Sequence, residues 1–260
     1  MSERDRTPPP DAAADPRGFY TAGYSLADRS EADRMGRWRA LGAHSKADHA
    51  VILCARAGLR PRTLVEIGCG DGALLAELGD RGVAPALDGF ELSPPAAELA
   101  RARTIAGARR IEAYDGEHVP APDGAYDLAV LSHVLEHVEN PAPLLAEAAR
   151  VATAVLVEVP LEANRSAARP GKREEAARIG HIQFLDRAAV HALVAAAGLA
   201  VAAELSDPLP YAHHAFFATT RAAKARSALK AGVRRALWRA APRAAERVFT
   251  VHYACLARRR

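Results

Sequence analysis

Cysteine is scarce. The three present, Cys54, Cys69 and Cys255, are widely spaced and set in apolar stretches. That number and spacing exclude a disulfide framework and a cysteine zinc site, and suit reduced structural thiols. Long apolar runs are missing as well. None approaches the ~20 residues needed to cross a bilayer, and the opening MSERDRTPPPDAAADPRG is polar and proline-rich, unlike a secretory leader. The expectation is a soluble, cytoplasmic chain. A large charge imbalance is also lacking, since a net charge of +4 is too weak to imply nucleic acid by itself. No internal repeat is visible. What remains is globular: 260 residues, half hydrophobic and a quarter charged, enough for one domain with a full core.

Residues 1–18 read as a disordered tail and 19–260 as a single domain. From Tyr20 to about Gly58 the pattern is helical. Strands are expected at 62–68, 84–93, 109–116, 125–132, 154–161 and 199–207, and a last strand at 249–259. Between them lie helical patterns, including one running from HVLEHVENP through Pro141 and one over 186–199. This alternation predicts an α/β fold, an open and mostly parallel sheet with helices on both faces. Ligands bind such sheets at the carboxyl ends of the strands.

The first strand ends in LVEIGCGDG (64–72). Closely spaced glycines after a strand let backbone approach a ligand. Gly68, Gly70 and Ala73 can be laid on the dinucleotide pattern G-x-G-x-x-G/A, with Glu91 about 20 residues on as a ribose-binding acid. A dinucleotide-binding oxidoreductase survives that test. The charges point elsewhere. Glu66 precedes the first glycine by two residues and Asp71 lies in the turn. Carboxylates are poor neighbours for a pyrophosphate and good ones for a cationic ligand.

VEIGCGDG, then FELSP, AYDGEHVPAPDGAYD and LSHVLEHVENP resemble the successive motifs of the class I S-adenosylmethionine-dependent methyltransferases, over about residues 60–205. The resemblance implies a Rossmann-like, doubly wound sheet of seven strands with the last antiparallel. An N-terminal helical cap (19–58) would precede the cofactor core (60–205), and a basic helical insertion (210–247) would precede the last strand (248–260). It implies S-adenosylmethionine as cofactor and methyl transfer as activity. Glu66, Gly68 and Gly70 would line the methionyl and ribose side, with Cys69 a small spacer. Glu91 would hold the ribose and Leu92 would lie against the adenine. Asp115 would receive the adenine amino group, with Gly116 beside it. Ser132 and His133 would flank the sulfonium. Tyr20 and Tyr24 open a segment that in similar enzymes folds over the cofactor or the acceptor; the simpler reading is a packing helix.

Methyl transfer to a hydroxyl or a protonated amine needs a base, and histidine suits that near neutral pH. His133 and His137 lie at helical spacing after the fourth strand, so both are expected to face the pocket. His181, in RIGHIQFLD, follows the fifth strand, where small-molecule members of the family carry a similar segment. His137 and His181 are the candidate catalytic residues. His133-Val134-Leu135-Glu136-His137 also matches H-x-x-E-H, a zinc pattern when helical. Nothing else supports zinc, so no metal is expected. VEVPLEANRS and GHIQFLD resemble glycan and specialised-metabolite enzymes, which suggests an oxygen or nitrogen acceptor on a small molecule. A cofactor-binding module without catalysis is the further alternative.

Residues 221–247 carry nine basic residues and one acid. Leu229, Val233, Leu237 and Trp238 fall on or near one helical face. A basic amphipathic helix suits an anionic membrane surface or an anionic substrate. The simpler reading, a solvated helix packing its leucines on the domain, is preferred. RNA ranks below both, because aromatic residues to stack bases are few.

Overall fold

The computed structural model describes residues 12, 14–25 and 28–259. Most of the stretch read as a disordered tail lies outside the described residues. Helix α1 (Pro16–Tyr24) nonetheless begins within it, with Asp15 accepting from the Gly18 amide as its N-cap. A 28-residue helix, α2 (Arg29–Arg56), follows. The core then alternates: β1 (Thr63–Ile67), α3 (Ala73–Asp80), β2 (Ala86–Glu91), α4 (Pro94–Arg101), β3 (Ala108–Ala113), β4 (Tyr126–Ser132), α5 (Pro141–Val151), β5 (Ala152–Pro160), α6 (Pro170–Arg178), α7 (Arg187–Ala196) and β6 (Leu199–Asp207). Three helices, α8 (Tyr211–Ala215), α9 (Arg221–Ala240) and α10 (Pro242–Val248), precede β7 (His252–Arg259).

The strands form one sheet in the order β3-β2-β1-β4-β5-β7-β6. β7 runs antiparallel to both neighbours, and the other pairings are parallel. The expected seven-stranded fold is therefore present. Central strands are covered on both faces, so β1 and β4 read as nearly continuous apolar runs. β3, at the edge, carries Arg109, Arg110 and Glu112 instead. One core cluster centres on Ile67, Phe90, Leu145 and Tyr253. The other centres on Leu53, Leu75, Leu87 and Leu128. Among the described residues no helix is long and apolar enough to cross a membrane.

Three local expectations are revised. The segment after β4 does not continue as a helix. Leu135–His137 is a single 3-10 turn and α5 starts only at Pro141, where proline fits the first helical position. Residues 170–178 form α6, which the sequence reading missed. The basic segment is two helices, broken at Ala241, whose backbone leaves the helical region that a following proline disfavours. Asp127, the second residue of β4, accepts from the Arg62 and Thr63 amides at 2.7 and 3.0 Å and so ties the start of β1 to β4.

A buried polar pair docks α2 on the sheet. Glu158 of β5 has no exposed side-chain surface, and its Oε1 lies 3.0 Å from His49 Nδ1. Its Oε2 accepts from Ser132 Oγ at 3.1 Å, while His49 Nε2 faces Asp207 at 3.3 Å. Burial opposes charge on His49, but Asp207 and Glu158 outweigh it and raise its pKa to about 10. Burial also opposes charge on Glu158, yet His49 brings its pKa down to about 2. The raised histidine stabilises fully below its unfolded value of 6.5 and loses this as pH rises through about 10. The depressed glutamate stabilises fully above 4.5 and loses this as pH falls through about 2. His49→Ala should cost about 3–5 kcal/mol by leaving a buried charge unpaired. Urea unfolding of both proteins across pH should show the largest gap near pH 5–6, narrowing from about pH 6.5 toward 10; a pH-independent gap would refute the ion pair.

Candidate active site

A cavity of about 570 Å³ opens at the carboxyl ends of β1, β2 and β4. Its size suits a cofactor-sized ligand. Its floor is the glycine turn after β1. Gly68, Gly70 and Gly72 all have positive φ, at 78°, 55° and 75°. Side chains are strained there, and space is short as well. A Cβ on Gly68 would meet Val134 Cγ2 at 2.6 Å, and one on Gly70 would meet the Tyr24 hydroxyl at 2.6 Å. Glycine is thus required at both positions.

Glu91, at the end of β2, is fastened by backbone. Oε2 accepts from the Gly70 amide at 2.8 Å and Oε1 from the Ser93 amide at 2.9 Å. Each oxygen keeps a lone pair for a ligand hydroxyl. Leu92 and Gly116 share the next stretch of wall. Asp115 Oδ1 accepts from the Glu117 and His118 amides, which hold its carboxyl below the usual range. The opposite wall comes from the N-terminal segment, with Ala12, Arg17, Tyr20 and Tyr24. Arg17 reaches over to donate to the Tyr114 carbonyl at 2.9 Å.

The cavity thus brings together Gly68, Gly70, Glu91, Leu92, Asp115, Gly116, His133, His137 and Tyr24. Glu66, Cys69, Ser132 and His181 lie behind that lining. Glu66 is buried, and its Oε2 has no hydrogen-bond partner among the described residues. Burial pushes its carboxyl well above the ordinary value, with Lys46 opposing and Glu91 and Asp71 reinforcing. An orphaned buried carboxylate beneath the glycine turn fits the cationic methionyl end of S-adenosylmethionine, across a bridging water. Cys69 packs under Gly89, and burial raises its thiol pKa well above the usual range, as suits a spacer. Ser132 is engaged by Glu158.

Asp71 plays a different part from the one the sequence suggested. Arg39 of α2 and Arg103 each donate to its Oδ2 at 2.9 Å. Its charge is neutralised by these two guanidiniums and fastens the glycine turn to α2. The electrostatic preference for a cationic ligand therefore rests on Glu66 and Glu91.

The histidines are placed by turns. His133 has φ 57°, an uncommon conformation for a non-glycine residue, and its amide donates to the Glu158 carbonyl at 2.8 Å. His133 and His137 do share the cavity, but through this strained turn and the 3-10 turn after it. Burial lowers the pKa of both rings, which keeps them neutral near pH 7. His137 Nδ1 donates to the Gly180 carbonyl at 2.9 Å, and His181 Nδ1 donates to Glu162 Oε2 at 2.7 Å. Neutral His137 therefore keeps an Nε2 lone pair. Burial opposes charge on His181, but Glu162 and Glu136 outweigh it and raise its pKa, so that ring offers its Nε2 lone pair once it gives up a proton. The rings stand edge to face at 4.8 Å.

Glu136 completes this group. It is 1% exposed, and neither carboxylate oxygen has a hydrogen-bond partner among the described residues. His133 Nδ1 comes within 3.0 Å of Oε1 at an angle unsuited to a hydrogen bond. Ligand-type atoms of Glu136, His137 and His181 all lie within 4.8 Å of one another. His133, Glu158 and His252 form a second such group, but Glu158 is already taken by His49 and Ser132. Glu162, which orients His181, carried no signal in the sequence. Its partner is 19 residues away and beyond an unforeseen helix.

Glu91→Ala should remove two ligand hydrogen bonds and free the Gly70 amide. With charged hydrogen bonds worth about 1.5–3 kcal/mol each, calorimetry with S-adenosylhomocysteine should show affinity falling by at least about tenfold. Unchanged affinity would rule out the ribose role.

A family profile described as a methyltransferase domain matches residues 36–204. Malonyl-[acyl-carrier protein] O-methyltransferase of Geobacter sulfurreducens is 33% identical over 97 residues, 36% of this chain and 36% of that protein. Ubiquinone biosynthesis O-methyltransferase of Thiobacillus denitrificans is 31% identical over 102 residues, 37% of this chain and 42% of that protein. The matches thus span roughly a third to two-fifths of these relatives. Geranyl diphosphate C-methyltransferase of Streptomyces coelicolor A3(2), solved with Mg2+, geranyl diphosphate and S-adenosyl-L-homocysteine, superposes with a TM-score of 0.59. Its identity is 16%, over 83% of this chain and 79% of that one. That likeness concerns the fold. The profile covers more than half of the chain and spans the glycine turn, the Glu91 strand and the histidine turns. On that match the chain belongs to the class I S-adenosylmethionine-dependent methyltransferases.

Proposed function

We propose that the protein methylates an oxygen or nitrogen of a small acceptor, and that Glu136, His137 and His181 hold a divalent cation at the acceptor end of the cavity. The carrying observation is the buried Glu136 carboxylate, unpaired at both oxygens beside two histidines whose Nδ1–H groups are committed elsewhere. The Gly180 carbonyl and the Glu162 carboxylate thereby fix the two rings in the orientation a metal-ligating histidine needs. Two imidazoles and a carboxylate suit a first-row divalent cation, and Mn2+ or Zn2+ can take such a set.

S-adenosylmethionine supplies an already activated methyl group, and a cation would supply Lewis acidity to an acceptor oxygen. The chain's own work is placement. Glu91 and the glycine turn fix the cofactor end. Tyr20 stacks edge to face on His137 at 5.5 Å, so the N-terminal helix meets the acceptor end directly. Gly180 lets this happen, because a Cβ there would meet the Tyr20 hydroxyl at 2.7 Å. Neutral His137 can also accept a proton from the acceptor if no cation binds. The likeness of VEVPLEANRS and GHIQFLD to glycan and specialised-metabolite enzymes supports a sugar, glycoconjugate or specialised metabolite as acceptor.

Mn2+ titration followed by electron paramagnetic resonance should reveal one site. Glu136→Gln and His181→Ala should each weaken it at least about tenfold. Exhaustive chelation should abolish formation of S-adenosylhomocysteine with a working acceptor, and added Mn2+ should restore it. Full activity after chelation would refute the cation while leaving methyl transfer, with His137 as base, intact.

A further inference from the structure

The strongest feature outside the active site is α9. It carries seven Arg and Lys residues and no acid. Residues 221–247 hold nine basic residues and one acid, a net +8. The rest of the chain holds 26 basic and 30 acidic residues, a net −4. The net positive charge is thus carried by the α9–α10 segment.

The way α9 sits is unusual. A surface helix normally turns its apolar stripe to the core. Here the half-buried positions are Ala223, Ser227, Ala231, Arg234 and Trp238. Ser227 Oγ donates to the His214 carbonyl at 2.9 Å, and Arg234 stacks on Phe249 at 5.0 Å. Leu229, Val233 and Leu237 are left 71%, 50% and 50% exposed. Leucines that the sequence expects to pack on the domain are turned away from it.

Those side chains line one side of a groove of about 490 Å³, whose far side includes Val248 and Phe249. Arg226, Lys230 and Arg234 from α9, with Arg169 and Lys172 from across it, rim the groove. The ion pairs nearby are Lys172–Glu175 and Arg243–Glu246; among the described residues Arg226, Lys230 and Arg234 have no carboxylate within 4.0 Å. Burial, Arg234 and Lys172 hold the Lys230 ammonium below its ordinary value, so these cations repel one another.

We infer that this face docks on a membrane surface rich in anionic phospholipid, with lipid phosphates among the rim cations and acyl chains against Leu229, Val233 and Leu237. An apolar floor within a cationic rim matches an amphiphile. A second copy of the chain would bring the same charge to the same face. A nucleic acid would meet aliphatic side chains where it needs aromatic ones, since Trp238 is turned inward and bonded to Ser206 at 3.4 Å.

The test is sedimentation of the full chain with vesicles of phosphatidylcholine alone or mixed with phosphatidylglycerol. The chain should sediment with the mixed vesicles, remain in solution with phosphatidylcholine alone, and be released by added salt. Arg226→Glu with Lys230→Glu should weaken binding at least about tenfold. Leu229→Ala should weaken it less and leave the salt response in place. Calorimetry with S-adenosylhomocysteine should be unchanged in every variant, which separates loss of the surface from loss of fold. Failure of the wild-type chain to sediment, or equal sedimentation of the charge-reversed variant, would overturn the inference. Binding to single-stranded RNA more tightly than to mixed vesicles would overturn it too.

Discussion

A carboxylate without exposed surface must be paired, and Glu158 is where this chain meets that requirement. Its two oxygens hold His49 and Ser132, and its carbonyl holds the His133 amide. One β5 residue therefore joins α2, the end of β4 and the strained turn that opens the active site. The pairing is specific as well as stabilising, because an apolar residue in its place would leave His49 Nδ1 and Ser132 Oγ without their partner. From α2 the order passes to the glycine turn through Arg39 and Asp71, and Tyr24 lies under the same arginine at 4.7 Å. The cofactor end of the cavity and its N-terminal wall are thus located by the same helix.

The two ends of the cavity are built on different physical grounds. At the cofactor end, positive-φ glycines and backbone amides do the work, and a Cβ would collide. Such a site tolerates little variation in residue type, and its buried carboxylates Glu91 and Asp71 are met by backbone amides and guanidiniums. The histidine end consists of side chains: a glutamate with no hydrogen bond at either oxygen and two histidines oriented through Gly180 and Glu162. Its chemistry is set by which atoms are left free.

That division explains what could be read from the sequence. The strands and the glycine turn with an acid about 20 residues on follow from local patterns, while the antiparallel direction of the last strand and the choice of cofactor rest on the family resemblance. Asp71 was misread because its partners Arg39 and Arg103 lie 32 residues away on either side. His133 and His137 were expected in one pocket, and they share it, but helical spacing was the wrong reason. Asn140-Pro141 sets the start of α5, and the residues before it turn sharply. His49 and Glu158 are separated by 109 residues, and nothing in either neighbourhood announces the other.

The stretch between β5 and α7 links the acceptor end to the cationic groove. Ser166, Arg169 and Lys172 lie in the groove wall, and α6 then carries the chain to Gly180 and His181. The Ile182 and Gln183 amides close the path by donating to the Glu136 carbonyl at 2.9 and 3.0 Å. Arg173 stacks on Phe184 at 3.7 Å and braces α6 against the segment that follows it. The same short helix therefore stands between the groove wall and His181.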